Sequence, residues 1–471
     1  MLFHALVFYI LKHQKLKFIT SISIIICKHY FAKKNIYYCL FNITIFMTIK
    51  ALYQLFLASP IVCTDTRNIK KNSIFFALKG DSFNGNLFAL QAIEQGCAYA
   101  IVDEEIEQSD KVIKVENVLQ TLQELATYHR QQLHIPIIGI TGSNGKTTTK
   151  ELVQRVLQKR YNTYATFGNL NNHIGVPLSL LSITNQHEMA VIEMGANHKG
   201  EIAMLCNICL PNYGLITNIG KAHLEGFGGE EGVIIGKSEL YKFIRKTNGL
   251  LFINNDDELL KRLSRGIDSY TYGSNNTANI YAEMLLESPT LNFKINDAIN
   301  VTSTLSGRYN LNNIMAAITI GTYFKITLND AADAVATYVS DNNRSQIVNT
   351  KSNSIFLDAY NANPSSMQAA ISNFCSQHLK NKIAIIGGMN ELGETSELEH
   401  TALVNQLYEQ EFSHIYLVGK YFSHIIPNAN ATLVENTTLL TDILKQMPIV
   451  NSNILIKGSR TNKLEQLVDY L

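Results

Sequence analysis

The sequence predicts a protein of three α/β domains, and two observations carry that prediction. Apolar runs short enough for buried strands alternate with helical periods along most of the chain. A glycine-rich turn, Gly142-Ser143-Asn144-Gly145, sits between one such strand and a helix that opens with Lys146-Thr147-Thr148. The expected order is a small N-terminal α/β domain over 47–134, a larger parallel-sheet domain over 135–340 and a Rossmann-like, doubly wound domain over 341–471.

The composition is compatible with cores of that size. The chain has 471 residues, 46% of them hydrophobic, with 27 Gly and 8 Pro, which excludes collagen-like or mainly disordered sequence. Forty Lys+Arg face 39 Asp+Glu, so no basic excess points to nucleic acid. Seven Cys in so long a chain do not make a disulfide framework, and a cytoplasmic monomer is expected.

Residues 1–46 stand apart, with six Lys and no Asp, Glu or Arg. Their charge-free runs are too short for a stable membrane span, and the scattered Lys do not fit a signal peptide. Met47 is the expected start of the functional protein, with 1–46 as upstream sequence; the alternative is a membrane-associating leader.

In the first domain, Ser73–Leu78 and Ala98–Val102 read as strands and Leu87–Gln95 and Val118–Leu133 as helices, before His134-Ile135-Pro136 punctuates the chain. In the second, Ile135–Ile140, Met189–Met194 and Tyr213–Asn218 are apolar strands, 270–305 looks β-rich and antiparallel, and Asn310–Tyr323 is helical. In the third, strands are expected at Ser354–Ala359, Lys382–Ile386, His414–Val418 and Asn453–Ile456. Helices are expected there at Ser365–His378 and His400–Glu409.

The strand–turn–helix at 137–148 is what a phosphate-binding loop requires. Glycines admit phosphate oxygens to backbone N–H groups, and the helix N-terminus adds positive potential. Lys146 can reach the outer phosphates and the Thr147 hydroxyl can ligate Mg²⁺. The spacing is shorter than the general Walker pattern, and a Gly-rich turn with an exposed lysine is the bland alternative. Such a loop names no reaction by itself. Glu193 ends a second apolar strand and His223 lies just past a third, where ligands of open α/β sheets gather. Each alone could be a charge at a strand end; three candidates after three strand ends are a stronger signal.

Thr141-Gly142-Ser143-Asn144-Gly145-Lys146-Thr147-Thr148, Glu193, His223 and the run Lys237-Ser238-Glu239 resemble, in order, the central motifs of the Mur ligases. These are ATP- and Mg²⁺-dependent amide ligases of peptidoglycan precursor synthesis. The family's short loop accounts for the spacing. The resemblance covers nearly everything from Met47 to Leu471 and implies a UDP-substrate domain, a P-loop ATPase-like domain and a ligase domain, in that order. It implies that Lys146, Lys237, His223 and Arg344 serve catalysis, with Lys237 carbamylated, and that Thr147, Glu193 and His223 hold Mg²⁺.

For ATP it implies Gly142–Thr148, Asn310 and Asn313 of Gly307-Arg308-Tyr309-Asn310-Leu311-Asn312-Asn313, Arg344, and Asp358 at the ribose. Tyr309 stands where the family usually has His. For the substrates it implies Thr66, Arg67 and Lys79 at the uridine nucleotide; Asn169, Asn171 and Asn172 in the loop before Ile174-Gly175-Val176-Pro177; and Tyr360, Asn361, Asn363, Lys457 and Ser459 in the third domain. Asn84-Gly85-Asn86 replaces the usual Asp-Gly-His of the first domain.

The segment Asp358-Ala359-Tyr360-Asn361-Ala362-Asn363-Pro364-Ser365-Ser366-Met367 is the most discriminating, resembling the branch that adds D-alanyl-D-alanine to a UDP-N-acetylmuramoyl-tripeptide. A ligase for another amino acid or for folate, or a silent relative, are the rivals. Cys206-Asn207-Ile208-Cys209 lacks a second ligand pair for zinc and reads as coincidence. Cys63, Cys97 and Cys375 read as small core residues.

Overall fold

The computed structural model describes residues 47–107, 109–287, 290–340 and 343–471. The expectation for 1–46 lies outside the described residues. The chain divides into two compact units, one ending at Thr121 and one beginning at Leu122. Among the described residues no helix is long and apolar enough to cross a membrane.

The first unit holds strands β1 (Val62–Cys63), β2 (Ile74–Phe76), β3 (Lys79–Gly80), β4 (Phe83–Asn84), β5 (Tyr99–Val102) and β6 (Val112–Lys114). Four of them form a parallel sheet in the order β1-β2-β5-β6, and β3 pairs antiparallel with β4. Phe75, Ala77, Ala89, Ala92, Ala100 and Val102 fill its core. Short β1 and β6 carry too few apolar residues to announce themselves in the sequence.

The second unit holds two sheets. The larger comprises β7 (Ile137–Thr141), β8 (Thr163–Ala165), β9 (Met189–Glu193), β10 (Tyr213–Ile216), β11 (Leu250–Asn254), β12 (Asp268–Gly273), β13 (Ile280–Glu287), β14 (Leu291–Ile295) and β15 (Ile299–Ser303). Their order is β15-β14-β13-β12-β11-β10-β7-β9-β8. All pairs from β8 to β13 are parallel; only β13-β14-β15 is antiparallel. The antiparallel stretch expected from residue 270 therefore begins only at β13, because β12 lies beside β11 in the same direction.

β7 is the hub. Ile140 pairs with Glu193 of β9, and Thr141 with Ile216 of β10, so three strand ends open side by side. The helices Lys146–Leu157 and Tyr309–Tyr323 cover one face, with Leu152, Val153, Val156, Ile314, Ala317 and Ile318 packed into one core.

The smaller sheet comprises β16 (Gln346–Asn349), β17 (Asn353–Asp358), β18 (Lys382–Gly387), β19 (His414–Val418), β20 (Ala431–Val434) and β21 (Ser452–Lys457), ordered β16-β17-β21-β18-β19-β20. Only the edge pair β16–β17 is antiparallel. The register puts Asp358 opposite Lys457 at the carboxyl ends of β17 and β21. The helix expected from His400 starts earlier, at Ser396.

Two buried histidines tie loops to this scaffold. His129 Nε2–H donates to the Ile183 carbonyl at 2.9 Å. His400 Nδ1–H donates to the Ser396 carbonyl at 2.7 Å, and its Nε2 accepts from the Met389 N–H at 2.9 Å. Burial lowers both pKa values below the ordinary histidine range. As pH falls below about 6.5 the unfolded chain takes up these protons first, so stability must drop with acidification. The urea midpoint is expected to fall between pH 7.5 and 5.5, and to fall less in His400→Asn.

Candidate functional site

The loop after β7 is fixed in shape before any ligand arrives. Gly142 (φ 147°) and Gly145 (φ 77°) hold conformations that L side chains rarely adopt. A Cβ on Gly142 would stand 2.0 Å from Thr217 Oγ1, and one on Gly145 2.5 Å from Asn313 Oδ1. The strand end of β10 clamps the loop from the other side. Ser143 N–H donates to the Asn218 carbonyl at 2.9 Å, Asn144 N–H to Asn218 Oδ1 at 3.0 Å, and Thr217 Oγ1 to the Asn144 carbonyl at 2.6 Å.

Lys146 folds back over the loop, donating to the carbonyls of Gly142 at 2.7 Å and Ser143 at 3.1 Å. Burial pushes its pKa down to about 8, with Arg344 adding repulsion and Glu193 opposing.

Next to the loop lies a buried carboxylate. Glu193 is 1% exposed. Its Oε1 accepts from Thr147 Oγ1 at 3.2 Å and from Asn171 Nδ2 at 2.7 Å. Its Oε2 is buried with no hydrogen-bond partner among the described residues. Burying such an oxygen unpaired is costly, so the site is built for a positive or hydrogen-bonding guest.

Lys237, 0% exposed on the helix Glu230–Lys246, donates to the Ala196 carbonyl at 3.0 Å and lies over the Phe227 ring. Burial, with Lys146 adding repulsion, pushes its ammonium well below the usual lysine range. An amine so poised is available as a neutral nucleophile.

The phosphate loop and Glu193 line one cavity of ≈ 880 Å³, and Lys237 lies behind its wall at Ala196. Ser143 to Thr148, Asn169, Asn171, Asn172, Glu193 and His223 line it from the larger sheet's side, together with Asn310 and Asn313. Arg344, Asp358, Tyr360, Asn361, Asn363 and Lys457 line it from the smaller sheet's side. Asn313 Nδ2 donates to Asn310 Oδ1 at 2.9 Å, and Asn313 Oδ1 accepts from Thr149 at 3.1 Å. Asn172 Oδ1 accepts from the Gly175 N–H at 2.8 Å and fixes the loop that holds Asn169 and Asn171.

Arg344 stacks on the Tyr360 ring at 3.7 Å, and its Nε is buried without a partner among the described residues. Asn363 caps the helix Pro364–Ser376 and donates across to Asn144 Oδ1 at 2.8 Å. Lys457, 1% exposed, pairs with Asp358 at 2.5 Å, so the two residues expected at separate ligands are partners in this structure.

The other expected positions lie elsewhere. Ser459 donates its hydroxyl to the Gly388 carbonyl and is not among the cavity's lining residues. Thr66, Arg67 and Lys79 belong to the first unit. Arg67 pairs with Asp65 at 2.6 Å and holds that carboxyl down to about 2. Thr66 opens the turn that Asp65 caps. Lys79 pairs with Asp103 at 3.0 Å and Glu104 at 2.9 Å. Asn86, in place of the family's His, exchanges two hydrogen bonds with Asp103.

Sequence reasoning did not single out Asn218, Ser365 or Glu391. Asn218 follows Thr217 at a strand end, which was a usable signal. Ser365 accepts from the Lys221 N–H at 2.8 Å and Glu391 pairs with His223, contacts between residues too far apart in sequence to be seen. Among the described residues the cysteines are small buried or half-buried groups, with Cys206 and Cys209 buried in the helix Glu201–Cys209.

Residues 140–321 match the Mur ligase middle domain, and residues 343–460 match the Mur ligase glutamate ligase domain. The chain is 35% identical over 422 residues to the UDP-N-acetylmuramoyl-tripeptide–D-alanyl-D-alanine ligase of Bacillus subtilis, covering 86% of this chain and 92% of that one. The ligase of the same name from Escherichia coli is 32% identical over 428 residues, with the same coverage of 86% and 92%. A crystal structure of MurF from Acinetobacter baumannii superposes with a TM-score of 0.80 at 30% identity, over 88% of this chain and 97% of that one. MurF from Thermotoga maritima in complex with ADP superposes at 0.79 with 26% identity and the same coverage, 88% and 97%. With a likeness that runs through both sheets of the second unit and the loops that line its cavity, the chain belongs to the Mur ligase family.

Proposed function

We propose that this protein joins D-alanyl-D-alanine to UDP-N-acetylmuramoyl-tripeptide in the cytoplasm, with cleavage of ATP to ADP and phosphate, giving the UDP-N-acetylmuramoyl-pentapeptide of peptidoglycan precursor synthesis. The observation that carries the reading is the cavity onto which the phosphate loop, Glu193 and the Asp358–Asn363 segment converge, with Lys237 bonded to the carbonyl of Ala196 on its wall. The relatives named above supply the substrates.

A carboxylate and an amine do not condense in water without activation. The tripeptide carboxylate attacks the γ-phosphorus of ATP, ADP leaves, and an acyl phosphate forms. The amine of D-alanyl-D-alanine then attacks the acyl carbon, loses its proton and expels phosphate. Two anions meet in the first step, so cations must offset their repulsion. Lys146 and Arg344 supply protein charge there. Asn310 and Asn313 support the nucleotide base, Asp358 the ribose, and Asn169, Asn171 and Asn172 the sugar-peptide. Tyr360, Asn361, Asn363 and Lys457 shape the acceptor side, and Ser459 acts from behind it through its bond to the Gly388 carbonyl. Thr66, Arg67 and Lys79 hold the uridine nucleotide.

Mg²⁺ fits the residues present. Glu193 Oε2 is a buried oxygen without a partner among the described residues, and the Thr147 hydroxyl stands on the same carboxylate. Hard oxygen donors beside a phosphate site suit Mg²⁺, with His223 as a further ligand. Among the described residues no three His, Cys, Asp or Glu side chains form a ready-made metal cage. When bound, Mg²⁺ supplies positive charge at the phosphoryl oxygens. Lys237, carbamylated by CO₂, becomes an anion that helps orient the site.

The direct test is phosphate release from ATP with Mg²⁺, UDP-N-acetylmuramoyl-tripeptide and D-alanyl-D-alanine. Release that requires both substrates, with a pentapeptide product by mass, supports the reading; no product with lysine- or diaminopimelate-containing tripeptide overturns it. Arg344, at the junction of the two sheets and stacked on Tyr360, is expected to couple domain closure to ATP. Arg344→Ala should lower turnover about 100-fold. The dissociation constant of the UDP-substrate, measured calorimetrically, should change far less.

A further inference from the structure

Of the thirteen non-glycine residues with positive φ among the described residues, two are His223 (φ 54°) and Glu391 (φ 60°). Such strain persists only where the surroundings over-determine it, and it clusters at functional positions. These two lie 168 residues apart, and their side chains meet, His223 Nδ1 against Glu391 Oε2.

Each is held by its own loop. His223 lies in the loop after β10, five residues beyond the Thr217-Asn218 clamp on the phosphate loop, and it opens the short helix Leu224–Phe227. Glu391 stands in the turn after β18, where the buried His400 receives the N–H of Met389. The backbones also join, since the Glu225 N–H donates to the Glu391 carbonyl at 3.4 Å. Nearby, Lys221 reaches Glu399 at 3.1 Å. The pair is therefore a docked contact between two loops.

The chemistry of the contact is specific. A carboxylate only accepts, so Nδ1 of His223 carries the hydrogen. In the neutral ring this leaves the Nε2 lone pair free. His223 lines the same cavity as Glu193 and Thr147. A carboxylate behind an imidazole is the usual way proteins fix the tautomer and orientation of a metal-ligating histidine.

We propose that Glu391 is a positioning residue that holds His223 with Nε2 turned toward a divalent cation in the cavity. The smaller-sheet domain thereby completes a metal site whose ligands all belong to the larger-sheet domain. The proposal rests on the reading of His223 as a metal ligand.

The test is Mn²⁺ binding to the full chain in the presence of ADP, read from the loss of the free aqueous Mn²⁺ resonance. Glu391→Gly removes the carboxylate and accepts a φ of 60° without strain. It should weaken Mn²⁺ by about 10- to 100-fold. Glu391→Gln still accepts from Nδ1–H and should restore most of that affinity. His223→Ala should weaken Mn²⁺ similarly, and the double variant His223→Ala/Glu391→Gly should be no weaker than His223→Ala alone. ADP affinity in EDTA should be unchanged in Glu391→Gly. Wild-type Mn²⁺ affinity in Glu391→Gly, with His223→Ala weakened, overturns the positioning role alone. Wild-type affinity in His223→Ala overturns the ligand reading and the proposal with it. Additive losses in the double variant, or weakened ADP binding without metal, would make Glu391 merely a docking contact.

Discussion

Lys146→Met is expected to lower kcat/KM for ATP about a thousandfold. The same change should leave the fold as stable as before or more so. Methionine keeps most of the lysine stem's length and apolar surface but removes the only loop cation that donates back to Gly142 and Ser143. That cation exists to meet phosphate charge as it shifts from one oxygen to another, which is where a preorganised charge acts most strongly. Without phosphates to meet it the charge is a liability, because burial pushes its pKa down to about 8 and holding the proton at neutral pH costs stability relative to the unfolded chain. Steady-state phosphate release and a thermal unfolding midpoint, taken on the same preparation, check both halves. A variant that loses activity together with several degrees of stability would assign Lys146 a structural role instead.

Glu193→Gln should lower kcat about 100-fold and raise the Mg²⁺ concentration for half-maximal rate by about tenfold or more. The amide retains an oxygen for Asn171 and Thr147, so the local hydrogen bonds survive. What disappears is the charge, and with it the acceptor at Oε2 that has no protein partner among the described residues. Mg²⁺ titrations of rate at saturating ATP separate the two effects. An unchanged Mg²⁺ requirement would remove Glu193 from the metal site.

Much of this was readable in the residues alone. The phosphate loop declares itself, because only glycine tolerates Gly142 and Gly145 and only a strand-to-helix turn presents their N–H groups. The long apolar strands β7, β9 and β10 declare themselves too, since burial on both faces demands unbroken Ile, Val and Leu. Short edge strands such as β8 and β20 do not, having neither the length nor the alternation to stand out. Pairings between distant segments were equally hidden. Nothing local to Lys457 announces that Asp358 will face it; that follows from β17 and β21 lying in register. Lys79, expected at the uridine nucleotide, is held between Asp103 and Glu104, which its own segment does not announce. Sequence identifies chemistry that one residue type can carry at one turn. It is silent where the chemistry depends on which strand becomes whose neighbour.

The clamp on Asn144 has a consequence for the protein's chemical ageing. Asn144 precedes Gly145, the kind of step at which the following backbone nitrogen most readily attacks the amide side chain, glycine offering no Cβ to hinder it. While the loop is closed, Asn218 and Thr217 hold the Asn144 backbone and Asn363 holds its side chain, so the attacking geometry is out of reach. Each excursion in which those bonds open exposes the residue to deamidation. The succinimide opens to aspartate or isoaspartate, and either product places a negative charge where phosphates must sit. A stored preparation would lose nucleotide affinity long before it lost structure, and bound ATP, by keeping the loop closed, would slow the clock.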